Sequence, residues 1–420
     1  MQEKFSAFWS SFKAGAKALA KWLLLAVPVG LLCGAVGTAF HLAVELVTEL
    51  RTEYSFILFL LPFAGIAIVA LYKATKCEGI GTNDILKAVQ SGKPVSPLLV
   101  PAIFFGTVLT HLCGGSAGRE GAALQMGGSI GWNVAKLLRF SDHDCRTAAV
   151  CGMAAFFSAL FGTPLAATLF AMMVIDVGVT FYVSFVPGFI AALIAYGVST
   201  ACGISATTFN VDAPALGVAT AVKAAILGAA CAVVTRLFCL LLHTAEHVIP
   251  KQLPNPWIRA VFGGAAVVLL SYLMGVGRYN GAGMGVITAA VEQGEALPWD
   301  FICKMILTAL TLSTGFKGGE VVPSFYVGAT FGCVVGPLLG LPAGFAAAAG
   351  LVAVFCGATN TLVPSVILAI ELFGGAGFEL IAVTCGVCWV LSGYHGLYSS
   401  QTFLSGKLSS EYIKHPLSKG

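Results

Sequence analysis

An arginine and a glutamate sit side by side in Gly114-Gly115-Ser116-Ala117-Gly118-Arg119-Glu120-Gly121-Ala122-Ala123-Leu124-Gln125-Met126-Gly127-Gly128, with long apolar segments before and after. Glycines leave backbone N–H groups uncovered and permit positive φ, which suits a turn that cradles an anion. A helix starting near Glu120 aims the positive end of its dipole at the same place. A carboxylate at such a spot competes with an anion for the amides and can also take up a proton. That is the chemistry of a proton-coupled anion site. A plainer reading stands beside it: a glycine-rich helix junction in which Arg119 and Glu120 neutralise each other.

Composition decides what kind of chain positions these residues. It is 58% hydrophobic and only 10% charged, where a soluble domain carries roughly 25% charged residues. Strand-type alternation is missing, so the prediction is an all-α integral membrane protein, and 50 glycines with 17 prolines fit closely packed, broken helices. A net charge of +4 is too small to imply a nucleic-acid partner. The 13 cysteines are scattered through apolar runs and suggest neither disulfides nor an oxidising compartment. Cys385 and Cys388 have C-x-x-C spacing inside an apolar run, where packing is the simpler role. The histidines show no metal spacing, and no cofactor is implied.

In chain order, residues 1–21 read as an amphipathic, basic segment on the cytoplasmic membrane face. Residues 22–50 form a first span of about 40 Å, which must tilt in a hydrocarbon core of roughly 30 Å. Residues 56–72 form a second span, and Lys73 and Lys76 mark its end as cytoplasmic. Lys407, Lys414 and Lys419 put the C-terminus on the same side, as a short tail over 403–420. Residues 79–83 are a glycine-flanked break before a short helix. Two apolar helices over 148–175 hinge at Gly162-Thr163-Pro164, and the stretches 284–291 and 301–314 are too short to span. The second half, 211–402, repeats the first, 22–200. Gly127-Gly128-Ser129-Ile130-Gly131 matches Gly328-Ala329-Thr330-Phe331-Gly332, and 152–173 matches 350–371. This sets Gly318-Gly319-Glu320 in the slot of Gly118-Arg119-Glu120. Repeated broken helices point to a binding site near the bilayer midplane.

Gly118-Arg119-Glu120-Gly121 resembles the G-R-E-G signature of the CLC chloride channels and proton antiporters. The broken element at 79–83 and Gly318-Gly319-Glu320-Val321-Val322-Pro323 follow in family order. Tyr398, in Tyr394-His395-Gly396-Leu397-Tyr398-Ser399-Ser400-Gln401, stands where the family has its central tyrosine. The resemblance runs from about residue 20 to 402 and implies the CLC fold, with inverted-topology repeats and re-entrant helices. It implies a homodimer with a pore in each subunit, and the cytoplasmic nucleotide-binding pair of many eukaryotic members is not expected. Chloride-selective relatives usually carry G-S-G-I-P, but here Ile80 falls in the serine slot, followed by Gly81 and Thr82. Ala122 replaces the proline after G-R-E-G. With Gly315-Phe316-Lys317 and Val322-Pro323, these departures are similar to the bacterial fluoride-exporting branch, CLC-F.

The resemblance assigns Glu120 as the gating, proton-carrying acid. It assigns anion contacts to Gly118, Arg119, Gly121, Ile80, Gly81, Thr82, Glu320, Val321, Val322 and Tyr398. Met173 and Val174 fill the paired-glutamate positions of the chloride antiporters, with Asp176 beyond them, so that relay is not expected. Glu320 either helps Glu120 with the proton or is structural, paired with Lys317 or capping a helix. Arg119 fits a role in holding the local fold and field better than direct ligation, and Glu371 reads as a structural acid beside a helix break. The implied function is fluoride export in exchange for protons across a bacterial cytoplasmic membrane. Chloride/proton exchange and passive anion conduction are the alternatives, and no nucleophile–base set suggests an enzyme.

Overall fold

The computed structural model describes residues 2–178, 180–408 and 412–416. Sixteen α-helices follow in order: α1 Gln2–Glu53, α2 Leu61–Ala74, α3 Thr82–Ser91, α4 Leu99–Leu112, α5 Glu120–Leu137, α6 Asp142–Phe161, α7 Pro164–Met173 and α8 Phe185–Ala201. Then come α9 Val218–Gln252, α10 Pro256–Met274, α11 Met284–Thr288, α12 Asp300–Ser313, α13 Val321–Leu338, α14 Ala343–Thr359, α15 Leu362–Phe373 and α16 Phe378–Leu391. Among the described residues seven helical stretches are long and apolar enough to cross a membrane, and several others, such as α7 and α15, are too short to do so alone. The chain is a multi-pass membrane protein.

The apolar residues divide between two solvents. α2 and α10 show Phe63, Phe262, Leu269 and Leu273 on the outside, where lipid replaces water, while α5, α6, α13 and α14 are buried along almost their whole length. Apolar burial cannot drive helices together inside lipid, so close backbone approach must do it. The glycines provide that approach. A Cβ on Gly127 would lie 2.3 Å from the Gly152 carbonyl oxygen, and one on Gly131 would lie 2.0 Å from that of Ala148. In the second half, a Cβ on Gly328 would lie 2.2 Å from the Gly350 oxygen and one on Gly332 would lie 2.1 Å from that of Ala346. The two helix pairs use the same small-residue seam, offset by about 200 residues in the chain.

Three features depart from the sequence reading. Residues 1–21 do not form a separate element, because α1 runs unbroken from Gln2 to Glu53, about 78 Å at 1.5 Å per residue. Its exposed Phe5, Phe8, Trp9 and Phe12 still make an apolar stripe opposite the lysines. The fold is all-α as expected, but it carries one small sheet that the sequence did not suggest. β1 (Asp176–Val177), β2 (Thr402–Ser405) and β3 (Tyr412–Pro416) form a small sheet in the order β1-β2-β3. The boundary expected at 402 therefore cuts β2, and Lys407 is buried, its ammonium donating to Asn360 Oδ1 at 2.6 Å and to the Trp389 carbonyl at 2.9 Å. The remainder of the tail, 409–411 and 417–420, lies outside the described residues.

Glu371 is the structural acid the sequence suggested. Its carboxylate accepts from the Leu165 N–H at 3.1 Å and the Ala166 N–H at 2.8 Å, free donors of the first turn of α7. Glu371→Ala is expected to cost about 1–2 kcal/mol, the usual value of a lost helix cap, read as a lower thermal midpoint of the purified protein.

Candidate functional site

Two turns meet at the centre of the molecule. Gly118 N–H donates to the Gly319 carbonyl at 2.7 Å, and Gly319 N–H donates back to the Gly118 carbonyl at 2.8 Å. This reciprocal antiparallel bridge is what a local two-fold axis between the halves produces. It also corrects the repeat register by one residue. Gly118 pairs with Gly319, so Arg119, the N-cap of α5, corresponds to Glu320, the N-cap of α13, and Glu120 corresponds to Val321.

Glu120 opens α5 fully buried and folds back over its own turn. Its Oε2 accepts from Arg119 N–H at 2.9 Å and from Val322 N–H at 3.3 Å, one donor from each half. Oε1 lies 3.8 Å from Arg119 Nε and has no hydrogen-bond partner among the described residues. The ion pair is thus loose, and the shorter contact is the Arg119 amide. A Cβ on Gly118 would come within 2.4 Å of Glu120 Oε2 and so would push the carboxylate out of this position. A buried carboxylate is costly unless donors surround it. Protonation would weaken its charge-assisted bonds to the amides and leave those donors to another anion.

The other expected residues divide. Val321 and Val322 lie at the start of α13 beside Glu120, and the Val322 amide reaches it. Gly121 faces the opposite turn, where a Cβ would be 2.9 Å from Gly319 Cα. The amides of Gly118, Ile80 and Gly81 are not free donors: they bond Gly319 O, Cys77 O at 3.2 Å and Asp84 Oδ2 at 3.0 Å. The broken element instead presents Thr82, whose buried hydroxyl accepts from Gln125 Nε2 at 3.0 Å and would lie 3.4 Å from a Cβ on Gly121. A hydroxyl therefore does face the site, two residues beyond the slot assigned to Ile80. Glu320 fits neither structural expectation. It makes no side-chain cap bond, no ion pair with Lys317 exists among the described residues, and its Oε2 is buried without a partner.

Tyr398 is 1% exposed, its hydroxyl has no hydrogen-bond partner among the described residues, and it lies within electrostatic reach of both Glu320 and Glu120. Buried unpaired polar atoms are rare in folded proteins. Glu120 Oε1, Glu320 Oε2, Gln125 Oε1 and Tyr398 OH all gather around these turns. Gln125 and Asn83 were given no role from sequence. Asn83 Oδ1 accepts from Ser400 N–H at 3.1 Å and its hydroxyl at 3.0 Å, fastening the broken element to the Tyr398 loop. A polar residue at a helix break has no periodicity to announce it.

Arg119 also lines a cavity of about 420 Å³ with His41, Glu45, Glu49, Arg51 and His111. His111 is buried, its Nδ1 2.9 Å from the Thr107 carbonyl, and Arg51 Nη1 donates to the His111 carbonyl at 2.6 Å. Behind it, fully buried Lys304 donates to the carbonyls of Tyr279 (3.1 Å) and Gly281 (2.6 Å). Glu45 and Glu49 are exposed on this cavity, whereas Arg51 and Arg119 are half-buried beside it.

Comparison with known proteins agrees with this geometry. Residues 64–392 match the family described as Voltage gated chloride channel. A chloride/fluoride channel protein of Pseudomonas syringae pv. tomato is 36% identical over 341 residues, 78% of this chain and 75% of that one. An H(+)/Cl(-) exchange transporter of Vibrio cholerae is 30% identical over 343 residues, 75% and 72% of the two chains. Among solved structures, a CLC-type fluoride/proton antiporter superimposes with a TM-score of 0.88 at 32% identity, covering 92% of this chain and 98% of the other. A slow cyanobacterial Cl-/H+ antiporter, at 20% identity and TM-score 0.75, shares the fold. The chain has the CLC fold and belongs to the voltage-gated chloride channel (CLC) family of anion transport proteins.

Proposed function

We propose that this protein exchanges fluoride for protons, exporting fluoride across a bacterial cytoplasmic membrane, with both termini in the cytoplasm and a homodimeric assembly. One observation carries the reading: the Glu120 carboxylate rests on amides from both halves, where a halide would bind. Ionised, Glu120 holds the position itself. Protonated, it loses its advantage over a free anion and swings aside, and the anion takes the amides. One position cannot hold both, so the two fluxes are tied. Tyr398 lies within electrostatic reach of Glu320 and Glu120, and its hydroxyl supplies a donor to the anion. Arg119 steadies the field around Glu120.

Fluoride is favoured over chloride by the 0.88 superposition on a fluoride/proton antiporter and by the relative named for both halides. Fluoride is small and strongly hydrated, so leaving water demands strong donors such as backbone amides and a protonated acid. The test is purified protein in liposomes, with fluoride efflux and proton uptake recorded together and chloride as the rival ion. Fluoride efflux that drives protons inward is the expected result, and efflux indifferent to a proton gradient would remove the proposal. Tyr398→Phe removes one donor worth about 1.5–3 kcal/mol to a charged acceptor. Coupled exchange is expected to fall by about tenfold or more, with the thermal midpoint unchanged.

A further inference from the structure

We propose that a second cavity, between the end of α2, the start of α10 and the turns at Gly79 and Gly315, binds a phosphate-class oxyanion, either an acidic phospholipid headgroup or free phosphate. The cavity measures about 310 Å³, and Tyr72, Arg259 and Lys317 supply its polar lining. Tyr72 is only 4% exposed, and its hydroxyl has no hydrogen-bond partner among the described residues. Arg259 Nε is also buried without a partner, while its Nη1 donates to the Leu253 carbonyl at 3.3 Å. The Lys317 ammonium stacks 4.2 Å from the Tyr72 ring centroid and has no carboxylate within ion-pair distance among the described residues. Lys317 and Arg259 are close enough to repel each other. Glu78, the single carboxylate on the wall, is exposed.

Two cations and a phenol, all short of acceptors, define a ligand that brings negative charge and several oxygens. The guanidinium fork suits the oxygens of a tetrahedral oxyanion, which a monatomic ion cannot span. Ile68, Val69 and Pro254 add apolar wall beside the charged heads. Lys73 and Lys76 follow Tyr72, and Trp257 follows Pro256. Such residues mark the membrane–water interface, the level of a phospholipid headgroup. A ligand here braces two turns of the central site from behind, because Gly79 leads into Thr82 and Lys317 leads into Gly318.

The experiment uses purified protein in nanodiscs of neutral lipid. Thermal midpoint is followed while either phosphatidylglycerol in the bilayer or inorganic phosphate in solution is raised. The expected result is a higher midpoint with at least one of them, and an apparent affinity about tenfold weaker in Arg259→Gln and in Tyr72→Phe, as for one lost bond to a charged oxygen. A response to phosphatidylglycerol alone identifies the lipid headgroup, and a response to inorganic phosphate identifies the soluble oxyanion. Tyr72→Phe keeps the ring under Lys317, so it tests the site even if Arg259→Gln fails to fold. No stabilisation by either ligand, or equal stabilisation of wild type and Tyr72→Phe, would overturn the site. So would protection by fluoride alone.

Discussion

Glu120→Ala is expected to leave anion movement intact while fluoride-driven proton uptake drops to background. The side chain does two things at one place. It fills the amide cradle formed by the Arg119 and Val322 N–H groups, and in the proposed exchange it is the acid that carries the proton through that cradle. Truncation frees both amides for an anion and removes the proton carrier. Arg119, 3.8 Å from the lost carboxylate, then leaves the cradle more positive. A loss of coupling of about 100-fold corresponds to about 2.7 kcal/mol, within reach of one buried charged group. Simultaneous fluoride and pH electrodes on proteoliposomes measure it. Coupled uptake that survives in Glu120→Ala would disprove the gating role.

The parts of this arrangement that could be read in the chain are those that backbone geometry imposes locally. Gly127, Gly131, Gly328 and Gly332 are spaced for helix contact, and each lies against a helix of its own half. Gly118-Arg119-Glu120-Gly121 suggested an amide cradle beside the plainer reading of a helix junction, and the Arg119 and Val322 N–H bonds to Glu120 favour the cradle. What stayed hidden depends on contacts between distant segments. Setting Gly318 in the slot of Gly118 missed by one residue: the reciprocal bonds pair Gly118 with Gly319, the same 201-residue offset that separates Gly127 from Gly328. The hydroxyl at the site belongs to Thr82 and not to position 80, because Gly81 caps α3 and turns the next residue inward. A strand of two residues, Asp176–Val177, has no local signature and exists because Thr402 and Phe403 run beside it. The boundary expected between residues 21 and 22 had no local cause, since α1 runs through it and on through Pro28 without a break.

Gly319→Ala is expected to abolish anion transport altogether, a heavier effect than loss of the gate. A Cβ at this position would lie 2.3 Å from the Gly121 nitrogen and 3.1 Å from the Glu120 nitrogen. Those amides begin α5, where helix N–H groups have no partner within the helix and are the natural donors to an anion. A methyl group would therefore cover the donors and force the two turns apart, breaking the paired bonds between Gly118 and Gly319. Nothing flexible stands in the way to absorb the change, because the atoms it meets are backbone. Overpacking of this kind costs roughly 1–3 kcal/mol, which a membrane helix bundle can survive, so the variant should still be purified and folded. Gly386→Ala provides the control, as a Cβ there meets nothing within 4 Å. Fluoride efflux from proteoliposomes is expected to fall to the protein-free rate in Gly319→Ala and to stay at wild-type level in Gly386→Ala. If Gly319→Ala still transports at the wild-type rate, the anion does not depend on the amides that open α5, and the path must pass elsewhere.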